Sequence, residues 1–150
     1  MMPLYFAFGS NMDAAQMATR CPGAEALGVA TLTAHRIVFR GPSKKRGGGV
    51  LSVDPHPPQS VRGVLYRVTD DHMMALDRFE GAPEWYLRAD CVVTLDTGPS
   101  HTATLYRLPE HVREMPPTPA YVAQVAQAFD ALKLCHDPLD EAVSRASLAT

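Results

Sequence analysis

The sequence predicts an α+β fold in which helices surround a small curled sheet or barrel. Several short segments are rich in β-branched and aromatic residues, and most of them suit antiparallel pairing. Residues 86–95 and 102–108 alternate in hydrophobicity on either side of Asp96-Thr97-Gly98, which predicts a β-hairpin. Segments with helical periodicity are inserted between the strands. Together these observations favour a mixed fold with the sheet at its centre.

Composition is typical of an ordinary soluble globular protein. The chain has 150 residues, of which 46% are hydrophobic and 20% are charged, and this length suits one domain spanning residues 1–150. The net charge of −2 gives no overall attraction to nucleic acid or to an anionic membrane. The first residues lack a basic signal-peptide region, and no stretch approaches transmembrane length. We therefore expect a cytoplasmic protein.

The spacing of cysteine and histidine predicts neither a metal site nor a redox motif. Cys21, Cys91 and Cys135 are widely separated and form no C-x-x-C pair. The six histidines show no H-E-x-x-H or similar ligand spacing. We assign no metal.

The first predicted element is a strand that ends in a corner of small residues. Residues 4–8 are apolar and aromatic, and Gly9-Ser10-Asn11 favours a tight turn. A short helix follows, with Asn11 or Asp13 available as its N-cap. Such a corner exposes backbone N–H groups that bind a carboxylate, a phosphate or an oxyanion. A plain connection would show the same pattern, so the corner alone does not decide between the two.

Four further extended segments follow in the first half of the chain. Residues 28–32 and 35–40 are predicted strands, the second with an alternating pattern. Residues 50–53 form a short strand, which we expect residues 54–58 to end because the prolines there cannot donate to a ladder. Residues 61–68 are predicted to be a central strand packed on both faces.

The segment 41–49 combines the basic run Lys44-Lys45-Arg46 with three consecutive glycines. Its spacing does not match the Walker phosphate loop, so a solvated, mobile basic loop is favoured over a phosphate site. The glycines would still let the backbone pass close to a ligand.

Residues 69–81 carry the signals of a helix with both ends marked. Thr69 is the predicted N-cap, and Gly81 stands where a helix takes a left-handed terminal residue. A core-facing stripe is formed by Met73, Leu76 and Phe79. Two more helices are predicted near the end of the chain, one starting at Thr118-Pro119 and one over residues 139–147.

The candidate catalytic group is an acid on the first of these helices, Glu80. Ser10 does not lie in a G-x-S-x-G elbow, and no dinucleotide fingerprint is present. Glu80 lies one turn after Leu76, at the edge of the apolar stripe. A carboxylate there would be partly removed from water, which raises its pKa toward the range useful for proton transfer.

Four segments carry a resemblance to a known family. They are Tyr5-Phe6-Ala7-Phe8-Gly9-Ser10-Asn11-Met12, Gly47-Gly48-Gly49-Val50, Gly63-Val64-Leu65-Tyr66, and Leu76-Asp77-Arg78-Phe79-Glu80-Gly81 with Tyr86 following. In this order over nearly the whole chain, and with the Pro-Thr-Pro-x-Tyr run of residues 117–121, they resemble the gamma-glutamyl cyclotransferase-like family.

The resemblance implies a small mixed, mostly antiparallel β-barrel flanked by helices, and an enzyme without a cofactor. The implied reaction releases 5-oxoproline and a free amine or amino acid from a γ-glutamyl compound, whose own α-amine attacks its side-chain carbonyl. The family's acid/base glutamate falls on Glu80. Its substrate-binding positions fall on Tyr5, Phe6, Ala7, Phe8, Gly9, Ser10 and Tyr106.

The implied partner is a small-molecule γ-glutamyl substrate, with no nucleic acid and no membrane, and the chain is expected to be a monomer or homodimer. One departure from the family pattern is Phe8, which replaces the usual tyrosine before Gly-Ser-Asn and so removes a hydroxyl. The leaving amine stays open between an amino acid, a polyamine, a lysine side chain and a biosynthetic intermediate.

Two other functional classes are alternatives to this enzyme. A non-catalytic small-molecule binding domain of the same fold would be favoured if Glu80 were fully exposed with an ordinary pKa. Nucleic-acid binding through Lys44-Lys45-Arg46 is disfavoured, because three charges without interleaved aromatic residues make a poor footprint. We also expect a bulky side chain at Gly9 to block the substrate or to conflict with a left-handed backbone conformation.

Overall fold

The computed structural model describes residues 2–149, in which five strands and four α-helices are found. The strands are β1 (Leu4–Ala7), β2 (Glu25–Arg40), β3 (Val50–Arg67), β4 (Leu87–Leu95) and β5 (Ser100–Arg107). The helices are α1 (Ala14–Arg20), α2 (Asp70–Glu80), α3 (Pro119–Ala131) and α4 (Asp137–Leu148), and a 3-10 turn covers Ser10–Met12.

The strands close into a barrel in the order β1-β3-β2-β4-β5. Every neighbouring pair is antiparallel except β1 and β5, which pair in parallel at Tyr5 and Thr104. This confirms the predicted mixed, mostly antiparallel barrel, and the hairpin of β4 and β5 is confirmed with it. None of the helices in residues 2–149 is long and apolar enough to cross a membrane.

The short strand β1 is held inside this barrel by close packing. Phe6 is fully buried, and β1 pairs with β3 from Leu4–Arg67 to Ala7–Val64. A Cβ built on Gly63 would lie 2.3 Å from the carbonyl oxygen of Ala7 and 2.8 Å from Cζ of Phe6. Glycine at position 63 therefore allows the two strands to approach, which sets the position of the corner that follows β1.

The prediction that residues 54–58 end a strand is wrong. β3 runs from Val50 to Arg67, and Asp54 and Pro55 still pair with Arg36 and His35 of β2. The register then shifts, and pairing resumes between Ser60 and Thr33, so residues 56–59 lie opposite Ala34 alone. Prolines are tolerated there because an irregular stretch of this kind demands few ladder hydrogen bonds.

Helix α2 has the ends that the sequence predicts. The Thr69 side chain accepts from the N–H of His72, whose ring accepts from the N–H of Thr69, and Gly81 is left-handed with φ 67°. Met73 and Leu76 are buried, but Phe79 is 39% exposed, so the predicted core stripe ends one turn before Glu80. Glu80 is the last residue of the helix, where the cap sets its position.

Two of the three glycines at 47–49, Gly48 and Gly49, allow the loop to pack closely against the chain before α3. Ser43 donates its N–H to the carbonyl oxygen of Gly48, and Gly49 donates to Pro116. A Cβ on Gly49 would lie only 1.9 Å from the carbonyl oxygen of Met115. The loop is thus tied to the linker before α3, and this places the basic side chains at 44–46.

The two late helices cover one side of the barrel. Thr118 caps α3 by accepting from the N–H of Tyr121, as its position before Pro119 predicts. Helix α4 packs on β2, burying Leu139, Ala142 and Ala146.

Candidate active site

One pocket at the end of β1 brings together most of the residues that the sequence predicts for the site. Among its lining residues are six of the eight predicted ones: Tyr5, Phe8, Gly9, Ser10, Glu80 and Tyr106. Asn11, Leu51, Tyr86 and Tyr121 complete the lining. Phe6 and Ala7 do not line it, because their side chains lie in the hydrophobic core, 0% and 1% exposed.

The carboxylate of Glu80 meets the corner after β1 directly. Asn11 donates from Nδ2 to Oε1 of Glu80 at 3.3 Å, across 69 positions of sequence. Glu80 is half-buried, and burial raises the pKa of its carboxyl. The cations of Arg20, Lys45 and Arg46 oppose that rise, as does the hydrogen bond from Asn11. The acid thus has the raised pKa that its position predicts.

Asn11, predicted as a backbone donor of the corner and as a possible helix cap, also contributes its side chain to the pocket. It is buried, and its amide bonds Tyr5 and Glu80 on one side and Gln16 and Arg20 on the other. Asp13, not Asn11, caps α1 by accepting from the N–H of Ala15. Because Nδ2 already donates to two oxygens, the amide orientation is fixed.

Gln16 of α1 holds this amide in place. Its Nε2 donates to Oδ1 of Asn11 at 2.9 Å and to Oγ of Ser10 at 2.8 Å. Its Oε1 accepts from Gln124 of α3 at 2.7 Å, and Gln124 in turn accepts from Arg46 at 3.0 Å. A chain of side-chain hydrogen bonds therefore joins the basic loop to Glu80.

The corner offers the backbone donors that its sequence predicts. In residues 2–149, the N–H groups of Gly9, Ser10 and Asn11 donate to no protein acceptor, whereas those of Met12 and Asp13 bond within the turn. Gly9 has φ −124°, so the left-handed conformation expected for it does not occur. A Cβ on Gly9 would meet Tyr121 and Leu51 at ordinary contact distances of 3.6 and 3.7 Å. A larger side chain would enter the pocket.

Two tyrosines of the pocket wall, Tyr86 and Tyr121, are held by their hydroxyl groups. Tyr86 donates to the carbonyl oxygen of Leu51 at 2.7 Å, and Tyr121 accepts from the N–H of the same residue at 3.1 Å. Burial raises the pKa of Tyr86 and raises that of Tyr121 to about 12. These phenols are therefore neutral at physiological pH. Tyr86 and Tyr121 were not predicted as site residues, because their shared partner, the backbone of Leu51, is distant in sequence.

Tyr106, the predicted binding tyrosine, uses its hydroxyl in the protein. It donates to Oδ1 of Asp77 at 2.6 Å, and Asp77 is clamped by Arg88 through two hydrogen bonds of 2.8 and 2.6 Å. The hydrogen bond from Arg88 is the main reason that the pKa of Asp77 lies below its usual value. Tyr106 thus lines the pocket as a fixed ring. Phe8, which lacks a hydroxyl, packs on Phe6 with ring centroids 6.3 Å apart.

A wider groove opens beside this pocket. Four residues line both cavities: Ser10, Glu80, Tyr86 and Tyr121. Its lining includes Arg20, Arg78 and the basic run at 44–46. Within the described part of the chain, no group of three or more His, Cys, Asp or Glu side chains is arranged to hold a metal ion.

Known proteins resemble this chain in sequence and in fold. The curated gamma-glutamylcyclotransferase of Bos taurus is 28% identical over 123 residues, which are 79% of this chain and 65% of the relative. The match thus spans just under two thirds of that relative's length. A solved structure named gamma-glutamyl cyclotransferase superposes with a TM-score of 0.84 at 23% identity, covering 100% of this chain and 89% of the other. An uncharacterised protein from Homo sapiens gives 0.81 at 24%, covering 98% and 87%.

At these identities the two solved structures establish the fold. The family follows from a sequence model described as gamma-glutamyl cyclotransferase, AIG2-like, which matches residues 5–123. That match begins in β1, includes the Gly9-Ser10-Asn11 corner and Glu80, and ends in α3, so the chain belongs to the gamma-glutamyl cyclotransferase, AIG2-like family.

Proposed function

We propose that this protein is a gamma-glutamyl cyclotransferase, which releases 5-oxoproline and a free amine or amino acid from a small-molecule γ-glutamyl substrate. The single observation that carries the proposal is the meeting of Glu80 and the Gly9-Ser10-Asn11 corner in one pocket, through the 3.3 Å hydrogen bond from Asn11. The name of the bovine relative supports the same activity.

Glu80 serves as the general base and then as the general acid. It takes a proton from the substrate's α-amine, whose nitrogen attacks the γ-carbonyl carbon and forms the new C–N bond of a five-membered ring. As the bond from that carbon to the leaving nitrogen breaks, Glu80 gives the proton to the leaving amine. A carboxyl with a raised pKa suits both steps, because it is neither too weak a base nor too weak an acid.

The corner after β1 holds the substrate's oxygen. The N–H groups of Gly9, Ser10 and Asn11 have no acceptor within the described residues, so they are available to the oxyanion that develops or to the substrate's carboxylate. Tyr5, Phe8 and Tyr106 form walls that hold the folded conformer. Since ring closure is intramolecular, holding that conformer supplies much of the rate advantage.

The alternative of a non-catalytic binding domain predicts a fully exposed Glu80 with an ordinary pKa. The half-buried position of Glu80 and its raised pKa favour the enzyme instead.

A screen of γ-glutamyl compounds for 5-oxoproline release tests the proposal. The panel contains γ-glutamyl derivatives of amino acids, of polyamines and of the lysine side chain. We expect release from at least one class. Tight binding of several compounds without any release would favour the non-catalytic alternative.

A further inference from the structure

Glu80 lies at the boundary between two cavities, and the outer one is strongly basic. The inner pocket and the groove share Ser10, Glu80, Tyr86 and Tyr121 as lining residues. A substrate whose γ-glutamyl part fills the inner pocket, with its scissile bond at Glu80, must therefore extend its leaving portion into the groove. This step rests on the proposed function.

The charged residues that line the groove come from three separate parts of the chain. The cations are Arg20 from α1, Lys44, Lys45 and Arg46 from the loop before β3, and Arg78 from α2. The acids are Glu80 and Glu84. Five cations against two acids make this groove positive in a chain whose net charge is −2.

None of the five cations of the groove forms an ion pair with an acid in residues 2–149. The ion pairs of those residues involve other cations, such as Arg40 with Asp54, Arg62 with Asp96 and Arg88 with Asp77. The two acids, Glu80 and Glu84, therefore offset only part of the positive charge of the groove. An anionic ligand would remove the mutual repulsion of these side chains.

Three of these cations are instead held by neutral groups, which orient them without neutralising them. Lys45 donates to the carbonyl oxygen of Phe79 at 3.0 Å, and its Nζ lies 5.4 Å from the centre of the Phe79 ring. Arg20 lies 4.7 Å from the same ring and donates to Asn11 at 3.1 Å. Arg46 donates to Gln124 and stacks 5.1 Å from the ring of Tyr121. Cations positioned in this way lose little freedom when they bind an anion.

We propose that the groove is the subsite for the leaving amine, and that it selects amines carrying two or more negative charges, as carboxylates or as a phosphate. Such a leaving portion neutralises the excess of cations, whereas a polyamine or another cationic amine meets like charge. The exposed Phe79 ring, with Arg20 and Lys45 over it, forms part of the same wall.

A matched series of substrates tests this selection. The γ-glutamyl amides of putrescine, methylamine, glycine, aspartate and phosphoethanolamine carry leaving portions that run from cationic to doubly anionic. We expect kcat/KM for 5-oxoproline release to rise by about tenfold or more from methylamine to aspartate and to fall again as salt is added. The aspartate and phosphoethanolamine arms distinguish a dicarboxylate from a phosphate. Release at rates independent of charge would overturn the subsite while leaving the proposed function intact.

Measuring the binding of the same amides makes the test independent of turnover. Affinities of the intact amides for Glu80→Gln are measured by calorimetry, and the same order is expected. If the wild-type protein released no 5-oxoproline yet bound the aspartate amide most tightly, the proposed function would fail and the anion site would stand. Equal affinities across the series would contradict the anion site.

Charge-removing variants identify the source of the preference. In the double variant Lys44→Gln, Lys45→Gln, the ratio of kcat/KM for the aspartate amide to that for the methylamine amide should fall about fivefold. Lys133→Gln is the matched control, because Lys133 is an exposed cation that lines a different cavity with Phe129 and Leu134. An unchanged ratio in the double variant would mean that Lys44 and Lys45 do not contribute to the preference for an anionic leaving group.

Discussion

At the scale of single residues, the proposed mechanism depends on one carboxylate, Glu80, whose surroundings shift its pKa in opposite directions. Burial raises the pKa of Glu80, while three cations and the amide of Asn11 limit the rise. A carboxylate with a raised pKa is a stronger base than an ordinary one, and its protonated form can still give a proton to the leaving amine. The same burial makes the charged form costly for the folded state.

Replacing Glu80 by Gln should therefore stabilise the protein at alkaline pH. Because the folded pKa lies above the unfolded value, the folded state binds more protons between the two, and the free energy of unfolding falls as pH rises through that interval. Urea unfolding at about pH 8 and about pH 4 measures the effect. We expect Glu80→Gln to exceed wild type in stability at the higher pH, with a smaller difference at the lower one. A variant less stable than wild type by the same amount at both pH values would contradict the cost of burial.

Asn11 is predicted to act as a positioning residue for Glu80. In Asn11→Asp the acceptor for Gln16 and Arg20 is kept, but the donor to Glu80 is replaced by a like charge. The pKa of Glu80 should rise further, so the acidic limb of the kcat/KM profile moves to higher pH and the rate at neutral pH falls. A purely structural role would lower kcat/KM equally at every pH and leave the limb in place.

At the scale of elements, the corner after β1 should respond to bulk more than to the loss of one hydroxyl. Gly9→Val puts a branched side chain into the pocket beside Tyr121 and Leu51, whereas Gly9→Ala makes only ordinary contacts. Ser10→Ala keeps the backbone N–H and loses one hydrogen bond from Gln16. We expect the smallest decrease in kcat/KM for Ser10→Ala, a larger one for Gly9→Ala and the largest for Gly9→Val. Where an oxyanion donor becomes unusable, transition-state stabilisation should fall by about 2.7–4 kcal/mol. Small, equal effects of all three would mean that the corner is only a turn.

Local signals account for the parts of the fold that the sequence predicts correctly. Thr69 and Gly81 mark the ends of α2 through bonds within a few residues, and Asp96-Thr97-Gly98 joins β4 to β5. The prolines after Asp54 were wrongly predicted to end a strand. The irregular stretch that accommodates them depends on the pairing with β2, which the local sequence does not show.

The predicted site shows the same division between local and distant information. Glu80 could be chosen from helix spacing and family resemblance. The roles of Asn11, Tyr86 and Tyr121 follow from contacts with residues 35 to 70 positions away, which no local pattern reveals. The basic loop was expected to be solvated, and its position over the site depends on the glycine contacts with the linker before α3.

At the scale of the whole molecule, the pairing of β1 within the closed barrel positions the corner that follows it. This pairing depends on the close approach of β1 to Gly63 of β3. Gly63→Ala forces a Cβ against the carbonyl oxygen of Ala7 and the ring of Phe6. Because those atoms belong to β1, the strand must move, and we expect a loss of about 1–3 kcal/mol in the free energy of unfolding together with reduced kcat/KM. Gly98→Ala, at a glycine with no atom within 4 Å of the added Cβ but with φ 120°, separates crowding from backbone strain. Full activity in a stable Gly63→Ala protein would show that β1 does not position the site.

The most direct test of the central claim is the rate of 5-oxoproline release by wild type, Glu80→Gln and Asp71→Asn on the best substrate of the screen. Asp71 is an exposed acid in the first turn of the same helix, so its variant matches the loss of charge without touching the pocket. If Glu80 moves the proton, Glu80→Gln should remain folded, bind substrate and lose about a hundred- to ten-thousand-fold in kcat, while Asp71→Asn stays near wild type. Turnover by folded Glu80→Gln at the wild-type rate would contradict the account.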